Sequence, residues 1–257
     1  MLCGIRSDGS KVFARQSTKL EAPFYCPACN HELNIRKGNI MVHHFAHKPP
    51  YNENCRHGQG ESEIHRKCKE TVYNGLLQYE HVTQIEMEKK FDFVISDIFC
   101  FINKVPVAIE IQRSNLSVNE ITARTVAYEK LGINVLWLAL YNDKLSTDKY
   151  NPNAWEKWCH AVYFGRVHYW LSDLTIVPVH YSKYQTYVEA KSWFDQYGDE
   201  QSGGDYYKTH KNSKTPKLGT QLNLATDFQP ALKQPWKGGS IVTPKCRIYG
   251  SNLKKWW

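Results

Sequence analysis

Two short apolar runs that lie close together give the clearest structural signal in this chain. The residues from Phe91 to Ile102 and from Val105 to Ile111 are rich in β-branched and aromatic side chains, and only Asn103-Lys104 separates them. An asparagine with a polar neighbour between two such runs is typical of a tight β-hairpin. The pattern predicts two antiparallel strands in which residues whose numbers sum to 207 face each other.

The pattern after the hairpin predicts a helix and then a buried strand. Ser117, with Glu120 three residues later, forms a capping-box pattern, and the predicted helix ends at Gly132 as its C-cap. The run from Val135 to Leu140 is apolar throughout, which is typical of a strand buried on both faces. With residues 83–89 as a first strand, the order is strand, strand, strand, helix, strand. This order predicts a mixed α/β sheet.

Two acidic residues lie inside the apolar strands. The hairpin register places Asp97 opposite Glu110, close enough for both carboxylates to share a divalent cation. Gln112 is two residues beyond Glu110 and so points to the same face. A buried acidic pair is costly unless it is ion-paired, hydrogen-bonded or metal-bound, so the pair predicts a site.

Two alternatives to this interpretation stay open. Asp92 replaces Asp97 only if a bulge shifts the register, because the two residues are five apart and point to opposite faces of a regular strand. The simpler alternative is a buried ion pair between Glu110 and an arginine, for which Arg113 and Arg124 are the candidates.

A helix predicted to begin near Glu61 carries a second group of polar residues. Glu61, His65 and Lys69 repeat every four residues and therefore share one stripe of the helix, beside an apolar stripe that includes Ile64 and Cys68. The same spacing is typical of a solvated face with ordinary i,i+4 pairs.

The residues before this helix predict a metal site. Cys26 and Cys29 are spaced so that both thiolates reach one tetrahedral Zn²⁺. The candidate pairs that complete the site are His44 with His47, His43 with His47, and His47 with Cys55. Four protein ligands leave no open position, so the predicted zinc is structural rather than catalytic. The alternative is reduced cysteines beside a histidine-rich loop.

Taken together, these motifs resemble the CoiA-like family of competence proteins, in the PD-(D/E)XK nuclease superfamily. The resemblance covers about residues 20–140, and the residues that carry it are Asp97, Glu110-Ile111-Gln112 with Ser114, Arg124, Tyr128 and Trp137. It implies a restriction-endonuclease-like mixed sheet flanked by helices, with an N-terminal zinc-binding module and an aromatic-rich C-terminal extension.

The resemblance also implies roles for the candidate residues. Asp97 and Glu110 would hold Mg²⁺ or Mn²⁺, and Gln112 would orient the attacking water from the position where the superfamily usually has a charged lysine. Glu61 and His65 would approach the metal, and a similar Cys-pair and His-Phe-x-His element supports His44 and His47 as zinc ligands. The predicted nucleic-acid contacts are Lys69, Arg113 and Arg124.

Composition and charge set the domain organisation. The chain is 42% hydrophobic and 13% aromatic, which indicates a folded protein. The predicted units are a zinc-finger-like module (1–57), a nuclease-like core (58–142), an aromatic-rich region (143–200) and a flexible basic tail (201–257). The residues from Gly203 onward include ten Lys and Arg and two acidic residues. Their net charge of +8 equals the net charge of the whole chain. Within the aromatic-rich region, residues 184–197 are predicted to be helical.

The resulting functional hypothesis is a metal-dependent DNA endonuclease or DNA-processing protein that acts on single- or double-stranded DNA. One alternative is a non-catalytic DNA-binding or recombination-accessory protein with a degenerate nuclease fold. The other is a protein-interaction module that recruits a partner through its C-terminal region. The absence of a long apolar run and of a secretory signal pattern predicts a cytoplasmic protein that does not span a membrane.

Overall fold

The first 50 residues build a small antiparallel sheet. The computed structural model describes residues 1–50, 55, 57, 61–112, 116–251 and 254–257. The strand order is β2-β1-β3-β4-β5, and the strands are β1 (Cys3–Arg6), β2 (Lys11–Phe13), β3 (Phe24–Tyr25), β4 (Glu32–Arg36) and β5 (His44–His47). The rings of Phe24 and Phe45, both fully buried, lie 4.9 Å apart between centroids and anchor the core of this sheet.

A ten-stranded mixed sheet forms the rest of the molecule. Its main path has the order β14-β11-β10-β9-β8-β7-β6, with β8, β9 and β10 parallel to one another. Its strands are β6 (Val82–Lys90), β7 (Ile95–Ile102), β8 (Val105–Gln112), β9 (Asn134–Leu140), β10 (Val167–Ser172), β11 (Thr175–Val188), β14 (Tyr206–Leu218), β15 (Leu222–Asn223), β16 (Gln229–Lys233) and β19 (Cys246–Gly250). Two short hairpins accompany it, made by β12 (Lys191–Phe194) with β13 (Glu200–Gly203) and by β17 (Trp236–Gly238) with β18 (Ile241–Thr243). The predicted mixed α/β sheet is confirmed.

The predicted hairpin between β7 and β8 is also confirmed. Asn103 and Lys104 have φ angles of 49° and 68°, so both turn residues are left-handed, as a type I′ turn requires. The pairs run from Ile102 with Val105 to Ile98 with Ile109, which is the predicted register. Asp97 directly precedes Ile98, and Glu110 directly follows Ile109. The two acids therefore lie where β7 and β8 stop pairing.

Strand β9 lies in the centre of the sheet and is buried on both faces, as its apolar run predicts. Val135, Trp137 and Ala139 contribute to the core on one side, and the alternating residues Leu136 and Leu138 contribute to the core on the other. The sheet therefore has a helix-covered core on each face, and side chains that alternate along one strand reach different helices.

The described residues contain three α-helices: α1 (Glu63–Leu76), α2 (Val118–Lys130) and α3 (Ala154–Val162). Ser117 and Glu120 form the predicted capping box of α2, and Gly132 follows the helix with a φ angle of 71°. Ile64, which the periodicity placed in the buried stripe of α1, is 41% exposed, so that stripe begins at Cys68. None of the described helices is long and apolar enough to cross a membrane.

Two predictions for the C-terminal part are wrong. Residues 184–197 contain no helix: β11 continues to Val188 and pairs with β14 as far as Tyr206, and β12 covers Lys191–Phe194. The residues after 201, predicted as a flexible tail, form β14 to β19, and β19 pairs with β16 and with β9. The physical reason is burial, because Leu224, Cys246 and Ile248 are inserted into the two cores.

Candidate functional site

Three cysteines and a histidine converge at one side of the N-terminal sheet. Cys26 and Cys29 flank a tight turn after β3, His47 ends β5, and Cys55 follows. The Sγ atoms of Cys26 and Cys55 are 3.9 Å apart, and Cys29 Sγ is 3.5 Å from His47 Nε2. All four ligand atoms lie within 4.8 Å of one another, so the group can hold a structural metal ion.

The distances in this group suit tetrahedral coordination. Ligands about 2.0–2.3 Å from a central Zn²⁺ are roughly 3.5–3.8 Å from each other. Burial raises the pKa of Cys26 to about 12 and raises that of Cys55, so a bound cation is needed to stabilise the thiolates. Burial lowers the pKa of His47, which keeps its imidazole neutral and able to coordinate.

His44 lies outside this group, and Cys55 takes the place predicted for it. His44 and His47 are three residues apart in β5, so their side chains point to opposite faces of the strand. The ring of His44 instead interacts with the backbone oxygen of Val42, 2.9 Å from Nδ1. His43 is likewise absent from the described metal-ligand groups.

A second polar group surrounds the ammonium of Lys69. Lys69 Nζ is 2.5 Å from Glu61, 2.6 Å from Glu88 and 3.4 Å from Asp97, and the residue is 2% exposed. His65 Nε2 is 3.2 Å from Asp97 Oδ2. The helix predicted to begin near Glu61 begins at Glu63, so only His65 and Lys69 of the predicted stripe lie on α1, and Glu61 precedes its N-cap. All three side chains face the sheet and not solvent, and ligand atoms of Glu61, His65 and Asp97 lie close enough to hold a cation.

Glu88 is a member of this group that the sequence did not single out. Its carboxylate accepts hydrogen bonds from the backbone N–H groups of Leu2 and Cys3, at 2.7 and 3.0 Å, besides contacting Lys69. Its φ angle of 50° lies in the left-handed region, which is uncommon for a residue other than glycine. The contacts of Glu88 join the N-terminal sheet to the polar group on α1.

The charges in this group stabilise one another. Burial alone would raise the pKa values of Glu61, Glu88 and Asp97, but the Lys69 ammonium holds all three below their ordinary values. Burial would likewise lower the pKa of Lys69, but the carboxylates of Glu88, Asp97 and Glu61 raise it well above its ordinary value. The group is therefore a buried set of ions and not a solvated helix face.

Glu110 turns toward the opposite side of the sheet from this group. It is 1% exposed and accepts a hydrogen bond from the Tyr128 hydroxyl. It also forms an ion pair with Arg124, in which Nη2 of the arginine is 2.5 Å from Oε2 of the glutamate. The Arg124 guanidinium also lies 5.1 Å from the ring centroid of Trp137. The buried Glu–Arg pair, one of the two alternatives left open by the sequence, is thus present.

The carboxylate of Asp97 lies between the ends of β7 and β8. Its Oδ2 accepts the N–H of Ile111 at 2.9 Å and is the same atom that His65 contacts. Asp97 therefore joins the α1 side of the sheet, whereas Glu110 is held from α2. The pairing of β7 with β8 ends at Ile98 with Ile109, one position short of the predicted pair of Asp97 with Glu110, and each acid has its own set of partners.

Two models of CoiA domains match this chain. The model of the competence protein CoiA N-terminal domain matches residues 10–58, and the model of the CoiA nuclease-like domain matches residues 61–171. Together they cover more than half of the chain. The chain belongs to the CoiA-like family.

A curated member of the CoiA-like family supports the same assignment. The chain is 28% identical over 131 residues to the competence protein CoiA of Bacillus subtilis (strain 168). The match covers 50% of this chain and 35% of that protein, so the chain spans about a third of the length of its relative. No solved structure matches the chain.

The CoiA-like domain boundaries separate the two polar groups. The cysteine–histidine group lies in the part that matches the N-terminal domain, and Glu61, Asp97 and Glu110 lie in the nuclease-like part. Gln112 pairs with Ala139 at the end of β8, on the same strand face as Glu110. Arg113 lies outside the described residues. The predicted boundary between an aromatic-rich region (143–200) and a C-terminal unit (201–257) stays a prediction.

Glu110 gives the stability of this CoiA-like chain an expected pH dependence. Burial raises the pKa of Glu110 from 4.5 to about 7, although Arg124 and Tyr128 lower it. Between these values the folded state holds more protons than the unfolded state, so the free energy of unfolding falls as the pH rises. Glu110→Gln removes this dependence. Relative to the variant, the wild type should lose about 2–3 kcal/mol between pH 5 and pH 8 in urea unfolding experiments.

The comparison isolates Glu110 because every other titrating group is common to both proteins. The substitution also changes the partner of Arg124, but that change is a constant offset. Parallel stability curves for the two proteins over this pH range would show that Glu110 does not titrate there.

Proposed function

We propose that this chain is a metal-dependent DNA endonuclease with a PD-(D/E)XK core. The observation that carries the proposal is the meeting of Asp97 with Glu61 and His65 at the point where β7 and β8 separate, beside the buried Glu110. This point lies inside the segment that matches the CoiA nuclease-like domain. Acidic residues at the open end of a strand pair, with a histidine beside them, are suited to hydrolysis of phosphodiesters.

The donor set suits a hard divalent cation. Carboxylate oxygens are the ligands that Mg²⁺ and Mn²⁺ prefer, and Glu61 and Asp97 supply them beside His65. When bound, such an ion withdraws charge from the phosphate and makes a coordinated water more acidic. Asp97 and Glu61 would hold the ion, and Gln112 would orient water without adding charge. Glu110 lies outside this donor group and would join it only by giving up its contacts with Arg124 and Tyr128. His65 lies where it can contact a phosphate oxygen or transfer a proton.

The proposal is tested by cleavage of labelled single- and double-stranded DNA with Mg²⁺ or Mn²⁺. Wild type should cut, and Asp97→Asn and Glu110→Ala should each lose at least about a hundredfold in rate, as expected for removal of a metal ligand. Asp92→Asn is the matched control, because Asp92 is exposed and absent from the described metal-ligand groups. Equal cutting by Glu110→Ala and wild type would contradict the proposed site.

A specific observation favours a second function, which is DNA binding without cleavage. Lys69 already neutralises Glu61 and Asp97, and Arg124 already neutralises Glu110, so the carboxylates have cationic partners without a metal. The neutral Gln112 in place of a lysine points the same way. If wild type binds DNA and cuts neither substrate with either ion, the chain is a non-catalytic DNA-binding protein of this fold.

We further propose that the cysteine–histidine group binds Zn²⁺. Three thiolates and one imidazole are soft and borderline donors, which favour zinc over magnesium or calcium. All four tetrahedral positions are then filled by Cys26, Cys29, His47 and Cys55, so this ion is structural.

A further inference from the structure

A long two-stranded arm lies outside the residues that match the CoiA models. β11 and β14 stay paired beyond Lys183, and β12 with β13 continue the same hairpin toward its end. We call residues 183–188 and 206–214 the stem of the arm, and residues 189–205 its tip. Isolated two-stranded hairpins have little core of their own, so exposed aromatic side chains on the arm call for an explanation.

Three cross-strand pairs of the stem lie at alternate positions of β11. Tyr187 lies opposite Tyr207, Gln185 lies opposite Thr209, and Lys183 lies opposite Lys214. The two tyrosine rings are 5.3 Å apart between centroids, and they remain 50% and 69% exposed. Residues opposite each other in an antiparallel pair share a face, so the rings and the polar pair form one surface, which Lys183 continues two residues along β11. Between Thr209 and Lys214 the register shifts, because β14 has three more residues there than β11, and Lys214 lies opposite Lys183 beyond this bulge.

The charge of the stem is entirely positive. It contains four lysines and no acidic residue, whereas the tip has five acidic residues and one lysine. None of the ion pairs among the described residues involves a stem lysine. Like charges directly opposite each other, as in the pair of Lys183 and Lys214, destabilise a strand pair unless an anion lies between them.

We propose that this face of the stem binds single-stranded nucleic acid. Exposed aromatic rings stack on unpaired bases, and ammonium groups beside them neutralise the phosphates that join those bases. A duplex hides its base faces, so the tyrosines favour a single strand. The acidic tip repels phosphates and sets the outer end of the binding surface.

Fluorescence anisotropy with a labelled oligo-dT, the same length of oligo-U and a DNA duplex tests the proposal. Without added Mg²⁺ or Mn²⁺, Tyr187→Ala/Tyr207→Ala should weaken binding of the single strand about tenfold or more, because stacking contributes about 1–3 kcal/mol per base. Lys183→Gln/Lys214→Gln should reduce the slope of log K against log salt by about 1.4, or about 0.7 for each phosphate that is no longer neutralised. The oligo-dT and oligo-U arms distinguish DNA from RNA as the natural ligand.

Two double variants serve as matched controls. Lys130→Gln/Lys144→Gln removes the same charge from exposed lysines elsewhere, and Phe194→Ala/Tyr197→Ala removes exposed aromatic rings from the acidic tip. Both should bind like wild type. Wild-type affinity and salt slope in both stem variants would overturn the proposal, as would equal losses in the stem and control variants.

Light scattering on the same proteins shows whether the stem contacts a second copy of the chain instead of nucleic acid. If the tyrosine variant changes the oligomeric state and not the affinity for oligo-dT, the stem contacts a second copy of the chain and the proposal is wrong. Binding is measured without cleavage, so a protein that binds through the stem but does not cut would contradict only the nuclease proposal. A protein that cuts but does not use the stem would contradict only this one.

Discussion

Replacing Lys69 with methionine is expected to lower the free energy of unfolding by about 3–5 kcal/mol. Lys69 is 2% exposed and is the ammonium shared by Glu61, Glu88 and Asp97. Methionine fills a similar volume but leaves these carboxylates buried without their main cation. The decrease therefore comes mainly from the cost of uncompensated buried charge and not from the removal of one favourable interaction. Urea unfolding at neutral pH measures it.

Lys67 provides the control on the same helix. It is exposed, so Lys67→Met should change the free energy of unfolding by no more than about 0.5 kcal/mol. Adding Glu88→Gln to Lys69→Met should restore part of the stability, because glutamine removes one uncompensated charge and its side-chain oxygen still accepts a backbone hydrogen bond. A small decrease in Lys69→Met, similar to that in Lys67→Met, would mean that the carboxylates are hydrated or protonated in the folded protein.

Local sequence signals predicted the centre of the sheet well. The turn at Asn103-Lys104 is decided by two residues and their backbone conformation, and once it is placed the register of β7 and β8 follows. The apolar run of β9 and the capping box of α2 are equally local. The spacing of Glu61, His65 and Lys69 predicts one helix face, which is correct for His65 and Lys69, whereas Glu61 precedes the helix. Whether these side chains meet solvent or the sheet depends on tertiary packing.

Residues whose partners are distant in sequence were harder to find. Glu88 lies among charged residues at the end of β6, and its role depends on α1 and on the backbone of Leu2 and Cys3. The segment 184–197 has a composition that allows helix or strand. Its residues up to Val188 form strand because they pair with β14. One local signal does bear on the zinc ligands, because strand alternation across His44-Phe45-Ala46-His47 separates the two histidines.

Removing the metal from the cysteine–histidine group is expected to unfold the N-terminal sheet. Structural zinc contributes about 10–16 kcal/mol of binding free energy in zinc-finger peptides, and small modules seldom fold without it. The sheet has a small core of its own, and the four ligands join the turn after β3, the end of β5 and Cys55 to one another. Metal analysis by mass spectrometry should find one zinc ion per chain in the purified protein. Cys29→Ser and His47→Gln should lose it, with rapid hydrogen exchange across residues 1–50.

His44→Gln is the decisive control for the ligand set. His44 is as buried as His47, but its ring contacts the Val42 backbone and not the thiols, so this variant should keep its zinc. Loss of zinc in His44→Gln and its retention in Cys55→Ser would reverse the assignment. Loss of zinc should also affect residues outside the N-terminal sheet. Leu2 and Cys3 donate to Glu88, so zinc loss should increase exchange at the end of β6 and lower the affinity of the carboxylate group for Mn²⁺.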